Sequence, residues 1–157
     1  MINRPSNIDH YNLSGNFSWL SYNSVSSRKL IDKIPDWSKK NILIVEDDET
    51  NAYLLMAYLK KTRATVITVR DGEKAVELCN SNLQINLVLM DIRLPVMNGY
   101  KATKLIKSNH KELPVIAQTA FTMDSDMDCA LHAGCDDFLS KPISQEQLFG
   151  VLTKFLD

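Results

Sequence analysis

From Lys40 onward the chain alternates between two patterns of apolar and polar positions. Short apolar runs, Ile42 to Val45, Thr65 to Val69, Leu87 to Met90, Val115 to Ala117 and Phe138 to Leu139, predict strands. Between them, Asn51 to Lys60, Gly72 to Asn80, Tyr100 to Ser108 and Met123 to Ala133 predict helices, and a last helix starts at Gln145. In that last segment Leu148, Val151, Leu152, Phe155 and Leu156 fall at i, i+3, i+4, i+7 and i+8, the stripe of a helix lying on a sheet. Strand runs without a polar alternate face belong to sheets covered on both sides. The expectation is therefore an α/β domain, a five-stranded parallel sheet doubly wound by helices.

The first part of the chain has no such rhythm. Twelve of its first thirty residues are Ser or Asn, with Phe17, Trp19 and Tyr22 scattered among them. Residues 1–38 are expected to be a tail or linker, with a short helix around Arg28 to Ile34, and residues 39–157 the folded domain.

Composition narrows the classes. At 157 residues, 45% hydrophobic and 24% charged, the chain suits one domain with a substantial core. A net charge of −1 gives no global reason to bind nucleic acid or a membrane surface. Residues 1–40 carry six Lys or Arg against three Asp or Glu, and the rest carry twelve against sixteen, so the body favours a cation over a phosphate backbone. Cys79, Cys129 and Cys135 are odd in number and lack a CxxC spacing, which favours buried thiols in a reducing cytoplasm. His10, His110 and His132 have no metal-ligand spacing. No apolar run reaches membrane-span length and the N-terminus lacks a signal-peptide core, so the glycosylation tripeptides at Asn12 and Asn16 are expected to go unused.

The ligand crevice of such a sheet lies beyond the carboxyl ends of its strands. Glu46, Asp47, Asp48 and Glu49 follow the first run, Asp91 follows the third, Thr119 ends PVIAQTA, and Lys141 with Pro142 ends DDFLSKP. Asp48 and Glu49 suit a helix N-terminus. The other acids would repel one another unless a counter-charge were present. Oxygen-only carboxylate ligands favour Mg²⁺, and Lys141 adds a positive charge. Asp91 can then stay ionised and act as a nucleophile toward phosphorus, with Thr119 donating a hydrogen bond to the oxygen placed there.

The stretches ILIVEDDETN, LVLMDIRLPVMNGY, PVIAQTA and DDFLSKP resemble the receiver domains of two-component response regulators, over about Lys39 to Asp157. The resemblance implies a flavodoxin-like sheet with strand order 2-1-3-4-5. It also implies that Asp91 is the phosphoacceptor, with Glu46, Asp47, Asp91 and the backbone carbonyl of Arg93 around Mg²⁺, Glu46 acting largely through water. Thr119 and Phe138 would be a coupled switch pair, Lys141 would contact the phosphoryl group, and the Lys141–Pro142 peptide would be cis. A histidine kinase or histidine phosphotransfer protein would be the donor. The surface of the fourth helix, fifth strand and fifth helix would signal to a downstream protein partner and serve any dimer. No turnover enzyme is expected.

Departures from the common pattern add expectations. Glu46 stands where Asp is usual and lengthens the reach by one methylene. Arg93 and Phe121 offer no carboxylate or amide to orient an attacking water, so slow hydrolysis of the acyl phosphate is expected, with a half-life longer than seconds. No output domain or DNA-binding element is expected after Asp157, and the loop DIRLPVMNGY resembles receivers attached to hybrid histidine kinases. Two other classes compete: a phosphohydrolase of the haloacid dehalogenase type, which wants an acid where Arg93 stands, and a receiver-like interaction module with a silent site.

Overall fold

In the computed structural model, residues 34–81, 83–120 and 124–157 are described, with side chains from residue 128 onward in the last stretch. The helix expected around Arg28 falls almost wholly outside them, as do His10, Phe17, Trp19, Tyr22 and Phe121. Five strands, β1 (Asn41–Val45), β2 (Thr65–Val69), β3 (Leu87–Asp91), β4 (Val115–Thr119) and β5 (Asp137–Ser140), alternate with five helices. These are α1 (Glu49–Lys60), α2 (Gly72–Cys79), α3 (Gly99–Asn109), α4 (Asp124–Ala133) and α5 (Gln145–Leu156). The sheet is parallel throughout, in the order β2-β1-β3-β4-β5, so the doubly wound architecture and its strand order stand as expected.

The unbroken apolar runs have the predicted cause. β3 and β4 are buried at every position because helices cover both faces of the sheet. Ile42, Ile44, Leu87, Leu89 and Ile116 meet α1 and α5 in one core layer. Leu43, Val45, Val88, Met90, Val115 and Ala117 meet α2, α3 and α4 in the other. β2, at the sheet edge, is only partly buried and carries exposed Thr65 and Thr68.

Local chemistry sets the helix boundaries. Asp48, Asp71, Asn98 and Ser144 cap α1, α2, α3 and α5, each accepting a hydrogen bond from a backbone N–H three residues on. Ser144 and Gln147 form a capping box. Hence helices α1 and α3 start slightly earlier than their apolar periodicity indicates.

The fold also reaches back past the expected boundary at Lys39. Trp37 is 1% exposed, packs edge-on against Phe149 of α5, and donates its indole N–H to Asp157 Oδ1 at 2.8 Å. Its backbone N–H bonds to the Thr62 carbonyl. A single tryptophan between Asp36 and Ser38 has no periodic apolar neighbours, so the linear pattern does not reveal its burial.

Candidate functional site

Parallel strands place their carboxyl ends along one edge, and there the chemistry-bearing residues gather. Glu46 follows β1 and its N–H bonds to the Val69 carbonyl, extending the ladder by one residue. It sits two positions beyond Ile44, as Asp91 sits two beyond Leu89, so both acids emerge on the face covered by α1 and α5. Lys141 follows β5, and its N–H donates to the Thr119 carbonyl at 2.8 Å.

The Lys141 ammonium bridges the two acids. Nζ donates to Glu46 Oε2 at 2.7 Å and to Asp91 Oδ2 at 2.6 Å. The other Asp91 oxygen accepts from the Arg93 N–H at 2.9 Å. Glu46 Oε1 lies 3.3 Å from the Asp48 N–H. The Glu46 and Asp91 side chains are almost fully buried, whereas Asp47 is exposed. Burial pushes the Glu46 carboxyl above its ordinary range, opposed by the hydrogen bond from Lys141. For Lys141, burial pulls downward, but its bonds to Asp91 and Glu46 outweigh it and the net direction is up.

Glu46, Asp47 and Asp91 each offer an oxygen, and the three lie within 4.8 Å of one another. Oxygens bound to one Mg²⁺ at 2.0–2.1 Å are at most about 4.2 Å apart, so only small side-chain movements separate this cluster from a ligand set. Three carboxylates against one ammonium leave a negative excess, and an all-oxygen donor set suits a hard cation. The residues fit a magnesium ion.

The loop after β3 is held close. Gly99 N–H bonds to the Ile92 carbonyl, and a Cβ on Gly99 would lie 2.1 Å from the Asp91 carbonyl oxygen. Only a residue without a side chain allows that approach, which explains the glycine eight positions after the acid. Val96 takes φ 63° at the loop tip, and the Lys141–Pro142 peptide is cis.

Thus the structure brings Glu46, Asp47, Asp91 and Lys141 together. Thr119 is buried at the end of β4, its carbonyl bonded to the Lys141 N–H. Phe138 pairs in register with Ala117, two residues before Thr119, so the two side chains share the α2–α3–α4 face. Arg93 has its side chain exposed and its N–H on Asp91. Of the histidines, His110 is the C-cap of α3 and His132 bonds to the Asp128 carbonyl.

One polar residue escaped the sequence reading. Gln118, fully buried, pairs in register with Asp91 on the neighbouring strand. The available signal was a lone amide in the apolar run VIAQT.

Comparison with known proteins agrees with this geometry. Residues 42–153 match the response regulator receiver domain family. The hybrid signal transduction histidine kinase G of Dictyostelium discoideum is 38% identical over 82% of this chain, which spans only 4% of that kinase. Among solved structures, the receiver domain of sensor histidine kinase PA1611 from Pseudomonas aeruginosa, with a magnesium ion in its active site cleft, is 34% identical at a TM-score of 0.69. That match covers 74% of this chain and 97% of the other. The Saccharomyces cerevisiae Ssk1 receiver domain, solved with the histidine phosphotransfer protein Ypd1, is 29% identical at a TM-score of 0.71, covering 79% and 91%. By sequence motif, strand order and family match together, the chain belongs to the response regulator receiver domain family.

Proposed function

We propose that this receiver accepts a phosphoryl group on Asp91 from a phosphohistidine of a histidine kinase or histidine phosphotransfer protein. The observation that carries this reading is the Lys141 ammonium bridging Glu46 and Asp91 at 2.7 and 2.6 Å, next to a three-carboxylate cluster. An Asp91 carboxylate oxygen attacks phosphorus, the P–N bond breaks, and the histidine leaves with the nitrogen electron pair. Lys141 and the Thr119 hydroxyl then stabilise charge on the phosphoryl oxygens.

Mg²⁺ is the cofactor in this reading, held by Glu46, Asp47, Asp91 and the Arg93 carbonyl. It would supply charge neutralisation to the transferring group. The magnesium in the related PA1611 receiver supports the assignment. The Ssk1 receiver's complex with Ypd1 supports a phosphotransfer protein as partner. Next to the site, α1 exposes Tyr53, Leu54 and Met56, apolar surface suited to a protein donor.

The response follows from the shared face of Thr119 and Phe138. Thr119 moving toward the phosphoryl group opens space that the Phe138 ring fills, biasing the α4-β5-α5 surface between two states. That surface would serve a downstream protein or a second copy. The chain acts as an acceptor rather than a turnover enzyme. Among the described residues no helix is long and apolar enough to cross a membrane, and the cytoplasm is the proposed location.

The test is incubation with Mg²⁺ and acetyl phosphate. Wild type should gain one acid-stable, base-labile phosphoryl group, and Asp91→Asn none. Turnover of phosphate monoesters would favour a hydrolase, and no adduct would favour a silent module.

A further inference from the structure

Gln118 is 0% exposed, and neither its amide nitrogen nor its carbonyl oxygen has a hydrogen-bond partner. A buried amide left this way costs free energy, so a well-packed strand retains one where some state of the protein satisfies it. Its placement indicates which state. β4 sets Gln118 two residues beyond Ile116, on the α1 and α5 face, directly across from Asp91. Gln118 and Lys141 line the same cleft of about 50 Å³, together with Asn51 and Leu55 of α1. That volume admits a water molecule, which needs roughly 10–15 Å³.

Lys141 holds Glu46 and Asp91, the same carboxylates that would bind the divalent cation of the function proposed above. When the cation takes them, the ammonium loses its acceptors and is pressed by like charge. An ammonium has three donors and no acceptor, and it needs an oxygen nearby. We propose that Gln118 is a positioning residue whose carboxamide oxygen receives the Lys141 ammonium, directly or through one water in the cleft, once the cation occupies the carboxylates. Gln118 thereby keeps Lys141 at the mouth of the site, ready for the incoming phosphoryl group. The inference rests on the metal-binding reading and adds to it a role for a residue on β4.

The test is Mg²⁺ binding by calorimetry on the full chain, with wild type, Gln118→Met, Lys141→Met and the double variant. Methionine matches glutamine in size and removes only the amide, so folding should be kept and thermal stability without cation should equal or exceed wild type. Gln118→Met should weaken Mg²⁺ binding roughly three- to tenfold. In the Lys141→Met background the same change should have no effect, because the benefit passes through the ammonium. Unchanged affinity in Gln118→Met, or an equal loss in both backgrounds, would overturn this proposal alone. Failure of wild type to bind Mg²⁺ would overturn it together with the metal reading.

Discussion

Lys141 Nζ lies 2.6 Å from Asp91 Oδ2, joining residues fifty positions apart in the chain and making the proposed acceptor acid part of an ion pair. The same ammonium bonds to Glu46, so Lys141→Met leaves two buried carboxylates facing each other. The loss should be about 1.5–3 kcal/mol in urea unfolding without divalent cation, the scale of hydrogen bonds to charged groups. Saturating Mg²⁺ should shrink the difference, since the cation neutralises the acids Lys141 no longer serves. An equal loss with and without Mg²⁺ would separate Lys141 from the cation site.

Gly99 presses against the end of β3. A Cβ there meets the Asp91 carbonyl oxygen at 2.1 Å and Ile92 Cα at 2.9 Å, both backbone atoms. Gly99→Ala should cost about 1–3 kcal/mol or more by forcing the loop away from β3, and should lower the rate of phosphoryl acceptance along with stability. Urea unfolding and acetyl phosphate labelling of the folded variant measure the two effects.

The thiols titrate in a distinct window. Burial pushes Cys79 and Cys135 from 9.0 up to about 11, whereas Cys129 is exposed. At neutral pH a thiol reagent should modify one cysteine quickly and two only upon unfolding. Because the folded state holds these protons more tightly than the unfolded chain, their stabilisation is complete below pH 9.0 and is lost as pH rises toward about 11. Lys141, also shifted upward, adds in the same direction. Stability should therefore fall steadily across that alkaline range.

Trp37 lies at the edge of the sheet away from Asp91. Replacing it with alanine removes a fully buried ring and its bond to Asp157, a loss of about 3–5 kcal/mol. The folded fraction of Trp37→Ala should still accept a phosphoryl group on Asp91. Loss of labelling in a variant shown to be folded by circular dichroism would connect this edge to the site.

The contrast between Asp91 and Trp37 explains what the sequence can disclose. Asp91, Thr119 and Lys141 each end an apolar run, and parallel strands must place such ends on one edge, so the pattern alone puts them together. The cluster of Glu46, Asp47 and Asp91 follows from the same rule. Trp37 is buried by contacts with Thr62, Phe149 and Asp157, which are remote in sequence and carry no periodic mark. Gln118 lies between these cases. Strand alternation fixes its face, but its position across from Asp91 depends on the β3–β4 register, which only coordinates supply. The apolar run of β4 stops at Ala117, two residues short of the strand's end at Thr119, because Gln118 and Thr119 are polar yet within the β4 ladder.

The most direct measurement is transfer from a phosphohistidine. A histidine phosphotransfer protein carrying radiolabelled phosphate is mixed with this chain and Mg²⁺, and the label is followed on both proteins. It should leave the histidine and appear on wild type as a base-labile adduct mapped to Asp91, with no transfer to Asp91→Asn or when the cation is chelated. Label reaching Asp91→Asn as readily as wild type would contradict the assignment of Asp91 as acceptor.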